Sequence, residues 1–136
     1  MDDSTSRLQT LRHQVFPVFQ RRISDMMEAP HPVQLVVEWN TIPQVKDKEA
    51  RALSLYMERI LDNLEWLAYD DVSRALLNSR LLGIHIRHVS SSLENSVNLL
   101  NGTLITLANF SQPDELPSSI EIRRVLSRGL TFPIEG

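Results

Sequence analysis

The spacing of apolar and polar positions is clearest over Leu53–Val89, LSLYMERILDNLEWLAYDDVSRALLNSRLLGIHIRHV. At the angular step of a helix, Met57, Ile60, Leu61, Leu64, Leu67 and Ala68 fall within about 80° of Leu53. Glu58, Asp62 and Glu65 fall on the far side. This predicts one long core helix, from about Lys46 to Tyr69. Two shorter apolar-periodic runs follow: Val72–Leu77, capped by Asp70 or Asp71, and Arg80–Val89, capped by Asn78 or Ser79. Ser91 with Glu94 forms a capping box and opens a further helix, Leu93–Phe110. Its apolar face is Leu93, Val97, Leu100, Leu104, Leu107 and Ala108; its other face, with Asn95, Asn98, Gly102, Thr106 and Asn109, is polar but uncharged.

Before the long helix, Ser6 and Gln9 form another capping box. Leu8, Leu11, Val15, Phe19, Ile23 and Met26 share a face, so a helix runs from Ser6 to just short of Pro30, with a kink or break near His13–Phe16 imposed by Pro17. Val33–Trp39 alternates as a strand would. No second strand is evident to pair with it, so the reading adopted is a short helix, followed by a loop at Asn40–Pro43. At the other end, Pro113 and Pro117 stop the preceding helix. Ser118 or Ser119 caps a short one, Ile120–Arg128, with Gly129 as a left-handed stop, and Leu130–Gly136 is an apolar extended tail. The expected fold is all-α: an irregular bundle of five to seven helices around one long central helix. Residues 1–5 are expected to be disordered, 6–112 to form the helical domain, and 113–136 to carry the short helix and tail.

Composition narrows function mainly by exclusion. The chain has 136 residues and no cysteine, which rules out a disulfide scaffold, a thiol nucleophile and a cysteine zinc site. A formal charge of −3 argues against strong nucleic-acid binding, which favours a basic excess. No apolar run is long enough to span a membrane, and no secretory leader is visible. The expected location is intracellular, the nucleus included.

The chemical motifs point away from catalysis. There is no G-x-S-x-G elbow and no Gly-rich phosphate loop. Glu58, Asp62 and Glu65 read as a solvated strip rather than an acid–base pair in a cleft. His85 and His88 stand three apart, a spacing that can hold a metal, but no further ligands stand at matching positions, so they read as ordinary surface histidines. Asn101-Gly102-Thr103 and Asn109-Phe110-Ser111 match the glycosylation sequon by chance, inside an expected helix. Neither a metal nor a cofactor is expected. Leu55, Trp66 and Tyr69 lie together opposite the main stripe of the long helix, either beneath another segment or as an exposed aromatic anchor. Arg80 and Arg87, seven apart, would share one side of a helix, and with the histidines they make a basic local face that suits an acidic segment.

LDNLEWLAYDDVSRALLNSRLLGIHIRHVSS, followed by a long helix, resembles the N-terminal helical domain of transcription elongation factors and the related integrase-binding domain. Leu61, Leu64 and Leu67 match the leucine-spaced helix of that family, and Ser79–Val89 matches the segment after it. The resemblance covers about the middle third of the chain. It implies an adaptor that binds acidic–aromatic motifs between helices, in a groove framed here by Asp70-Asp71 and Ser90–Ser92 with Arg80 and Arg87 nearby.

The function expected from sequence is therefore a non-enzymatic protein–protein interaction module for a short acidic or amphipathic partner segment, in transcription or chromatin if the resemblance holds. The partner-binding residues would be Arg80, Arg87, Trp66, Leu55 and Tyr69. The alternative is a structural subunit of a helical assembly, homodimeric or heteromeric.

Overall fold

A computed structural model describes residues 9–27, 33–43 and 47–130. Among them the chain forms four α-helices and a four-stranded mixed sheet, an α/β fold and not the all-α bundle that the helical spacings suggested. The expected N-terminal capping box at Ser6, disorder at 1–5 and tail at 131–136 lie outside the described residues.

The first helix opens with a wide π-helical turn, Leu11–Val15, closed by the Phe16 N–H on the Leu11 carbonyl. It continues as α1, Phe16–Met27. Proline at position 17 cannot donate a backbone bond, and its ring crowds the preceding turn. A locally widened turn relieves that crowding, so the expected irregularity at His13–Phe16 takes this form.

Val33–Trp39 does not form a helix. Gln34–Val37 is strand β1, paired in parallel with β2, Gly83–His88. Its partner lies within Arg80–Val89, the stretch expected to be helical. There Ile84 and Ile86 alternate with His85 and Arg87, which suits a strand with one buried face. The long helix is α2, Asp47–Leu67, and its stripe is the core: Leu53, Met57, Ile60, Leu61 and Leu64 have no exposed surface. Next comes α3, Asp71–Arg80, capped by the Asp70 carboxylate on the Ser73 N–H at 2.7 Å. Helices α2 and α3 thus form the long crossover that parallel strands require.

The expected helix Leu93–Phe110 is instead a hairpin, β3 Ser96–Leu100 and β4 Thr103–Ala108. Ser91 caps only a short 3-10 turn, Ser92–Glu94. Asn101 and Gly102 make the reversal with φ values of 50° and 83°. Positive φ at both central residues is what a two-residue hairpin demands, and Asn-Gly meets it best. A Cβ on Gly102 would also lie 2.7 Å from the Arg80 carbonyl oxygen. The last helix is α4, Ser119–Gly129, capped by the Ser118 hydroxyl on the Glu121 N–H. Gly129 is not its left-handed stop, since Gly102 is the positive-φ glycine. Gly129 instead lets α4 approach β3, because a Cβ there would meet Leu99 at 2.5 Å.

The strand order is β1-β2-β4-β3, with β3 antiparallel. One face carries Leu35, Val37, Ile84, Ile86, His88, Leu104, Thr106, Ala108, Val97 and Leu99. This face meets the helices. Tyr56 of α2 hydrogen-bonds Thr106 across it at 3.1 Å, and the Phe110 ring packs edge-on against Tyr56. Gln20 of α1 closes the free edge of β1, donating to the Val33 carbonyl and accepting from the Leu35 N–H. Such cover suppresses pairing with another chain at that edge.

Candidate partner-binding surface

Alternation puts the remaining strand residues on the opposite face. The register forms rows across it: Val36, His85, Ile105 and Asn98 in one, Arg87, Leu107 and Ser96 in the next, Gly83, Thr103 and Leu100 on the other side. Val36 is 46% exposed and Leu100 60%; His85, Ile105 and Leu107 are partly exposed, and no described helix lies over them. A parallel sheet is ordinarily covered on both faces. Here, among the described residues, three parallel strands carry branched apolar side chains on a face with no helix over it.

The charges on this face are few. His85 Nε2 and Glu38 Oε2 are 2.7 Å apart and balance one another. Arg87 is exposed and has no carboxylate within ion-pair distance among the described residues. Beyond Arg87 the carboxyl ends of β2 and β4 border a shallow hollow lined by Thr41, Arg87, His88, Val89, Ser90, Glu94 and Leu107.

Side-chain hydrogen bonds hold this end of the sheet in place. Asn95 accepts from the Asn109 N–H and donates to the Glu115 carbonyl. Asn109 donates to the Ser92 hydroxyl and accepts from the Ser111 N–H. Thr41 accepts from the His88 N–H and donates to the Glu38 carbonyl. Ser111 donates to Glu49 Oε2 at 2.6 Å. Glu49 is 4% exposed, and its Oε1 has no hydrogen-bond partner.

His88 is not the surface histidine expected: it is 8% exposed and stacked beside Phe110. Its Nδ1 accepts the Phe110 N–H at 3.2 Å, which places the hydrogen of the neutral ring on Nε2. Burial holds its pKa below the ordinary histidine value, against a smaller opposing pull from the Glu49 charge. His85 and His88 project from opposite faces of β2, so they do not form a metal pair, and no group of metal-ligating side chains occurs among the described residues.

The residues expected to bind a partner are dispersed. Arg80 sits in the last turn of α3, and its guanidinium donates to the Leu130 carbonyl at 2.6 Å, tying down the end of α4. Arg87 lies on β2, so the two arginines do not share a helix face. Leu55, Trp66 and Tyr69 are exposed at 65%, 54% and 74%. The Trp66 indole is covered on one side by Arg123, whose guanidinium carbon is 4.2 Å from its ring centroid. Glu58 of the acidic strip pairs with Arg22 at 2.9 Å. Val36, Ile105 and Leu107 escape a reading at helical spacing, whereas His88 already stands in the basic local face that suits an acidic segment. The signal that could have found them is Asn101-Gly102 between alternating apolar residues.

No protein-family model, curated protein or solved structure matches the chain. The segments that carry the resemblance to the elongation-factor domain are helix, strand and hairpin here, so the helical groove it implied is not present.

Proposed function

We propose that this chain is a non-catalytic interaction module that docks an amphipathic partner helix bearing acidic residues on the uncovered face of its sheet. The observation that carries the reading is the one-sided cover of β1, β2 and β4. A sheet with a branched apolar face is completed by a layer of helix, as the opposite face is. Val36, Ile105, Leu107 and Leu100 supply the apolar contact. Arg87 supplies a cation whose complement is an acidic side chain at the flank of the partner's apolar stripe. Of the two arginines expected from sequence, Arg87 keeps this role and Arg80 belongs to the scaffold.

The test is selection from a displayed library of random helical peptides. Enriched sequences should have apolar residues at i, i+3, i+4 and i+7 with Asp or Glu beside them. Their binding should shift the backbone amide resonances of residues 36, 85–87 and 103–107, and Ile105→Lys should abolish it. Enriched peptides that shift Tyr69, Val72 and Trp66 instead, with Ile105→Lys neutral, would move the site to the α2–α3 surface. A chain that is a stable dimer in solution, with these amides buried in the dimer, would favour the structural-subunit alternative.

A further inference from the structure

We infer that the hollow at the carboxyl ends of β2 and β4 is a carboxylate site, in which the Arg87 guanidinium and the His88 Nε2–H receive the acidic side chain of the docked partner helix. This deepens the docking reading above by naming the contact that fixes the register of the partner. Arg87 and His88 are neighbours on β2 and project from opposite faces, yet both line the hollow because it wraps the end of the strand.

Three observations carry the assignment. The first is the state of the His88 ring. Nδ1 is occupied by the Phe110 N–H, so Nε2 is the donor, and it has no partner among the described residues. The buried polar side-chain atoms without a partner are Glu49 Oε1 and Asn78 Oδ1. Nε2, equally unpartnered and absent from that pair, therefore keeps contact with solvent, on a side chain more than nine-tenths buried. His88 lines the hollow, and a fixed ring with one donor unpartnered is preorganised for an acceptor. The second is Arg87, an exposed cation on the same hollow with no ion-pair partner among the described residues. The third is the rest of the wall. Val89 and Leu107 offer apolar contact to a methylene stem, while Thr41 is already engaged as both donor and acceptor.

Charge selects the class of anion. Glu94 is on the same wall, and the Glu49 charge acts on His88. A dianionic phosphate would meet both repulsions, whereas a carboxylate carries one charge and presents two oxygens. A guanidinium and a single N–H donor match that geometry.

The experiment uses acetate as a free probe of the full chain at constant ionic strength, read by the His88 ring nitrogen and carbon-bound proton resonances. Acetate should move His88 Nε2 and the amides of 87–90 along a saturable curve, and chloride and phosphate at matched strength should not. Arg87→Gln should weaken acetate binding about tenfold, the size expected for losing one charge-assisted hydrogen bond, with the melting temperature unchanged. Arg124→Gln, an exposed arginine on α4, should leave it unaltered. Acetate that fails to move His88, or moves it identically in Arg87→Gln, overturns the site whether or not helices dock on the open face. Acetate that binds as described while no helical peptide shifts the open face overturns the partner as the source of the carboxylate, and with it the docking reading.

Discussion

The two faces of β4 are built from similar material and meet different surroundings. Leu104, Thr106 and Ala108 point into the helical layer, while Thr103, Ile105 and Leu107 point away from it. The inner set is buried and the outer set partly exposed. The outer set is the more hydrophobic of the two, since the inner one spends its central position on a threonine and its last on an alanine. Hydropathy therefore does not report which side of this sheet is the core. Contact with α2 does, through the Tyr56–Thr106 hydrogen bond and the apolar stripe around it. The face with fewer neighbours keeps its apolar residues without the cover that would account for them.

A dispensable inner residue would remove the difference between the two faces. Ile84 is fully buried at the centre of β2. Ile84→Ala should cost about 2–5 kcal/mol, the range for large-to-small substitutions in a core. Denaturant titration measures it, and a cost below about 1 kcal/mol would mean that this face is not packed as described.

Tyr56→Phe is the next largest effect. The Tyr56 ring stays packed against Phe110, but the fully buried Thr106 hydroxyl loses its partner. The expected cost is about 1–3 kcal/mol. Burial raises the Tyr56 pKa, with the Thr106 hydrogen bond and Arg59 opposing that shift. A raised phenol favours the protonated form in the fold, so its contribution is intact below the unfolded value of about 10 and is lost as pH rises above it. The wild type should weaken across that alkaline range more steeply than Tyr56→Phe, and parallel curves would show that Tyr56 is not shielded.

These two residues also show what could be read without coordinates. The stripe of α2 is legible because seven apolar positions recur over more than four turns with charge opposite them, and a long amphipathic helix leaves little ambiguity. Asp70 and Ser118 were legible as caps because their chemistry is local. The sheet was not. Leu93, Val97, Leu100, Leu104 and Leu107 satisfy helical spacing only when counted through Asn101-Gly102, where the chain in fact reverses. That reversal resets the phase of alternation, and the inward Thr106 hides it further. Helical spacing over the hairpin leaves Ile84 and Ile86 without a neighbouring strand, and Val33–Trp39 pairs only with the stretch that carries them. Arg80 and Arg87 share a helix face only if the helix runs on through Leu81, but Leu81 is extended and ends α3 before β2 begins.

At the end of the strands, His88 has a smaller effect. It belongs to the inner face, and burial depresses its pKa. The fold then favours the neutral ring, so the stabilising contribution is present above the unfolded value of about 6.5 and is lost as pH falls from there toward the folded value. Protonating Nδ1 would also displace the Phe110 N–H. Stability should therefore decline on mild acidification, before most carboxylates titrate. His88→Gln, which retains an acceptor, should flatten that part of the curve, and an unchanged slope would assign it to other groups.

The smallest expected effect on stability is on the outer face and bears most directly on function. Ile105 sits between His85 and Asn98 in the middle row, partly exposed. Ile105→Thr keeps β-branching and strand propensity and removes only exposed apolar surface. Its stability should stay within about 0.5 kcal/mol of the wild type, as for surface substitutions generally. If the face docks a helix, the same change should weaken the selected peptides by about tenfold or more, because a central apolar contact is lost. Denaturant titration and peptide binding on one sample separate the cases. Unchanged stability with weakened binding fits a surface kept apolar for a partner. A loss of about 2 kcal/mol or more would mean that Ile105 is core and that this face is already covered.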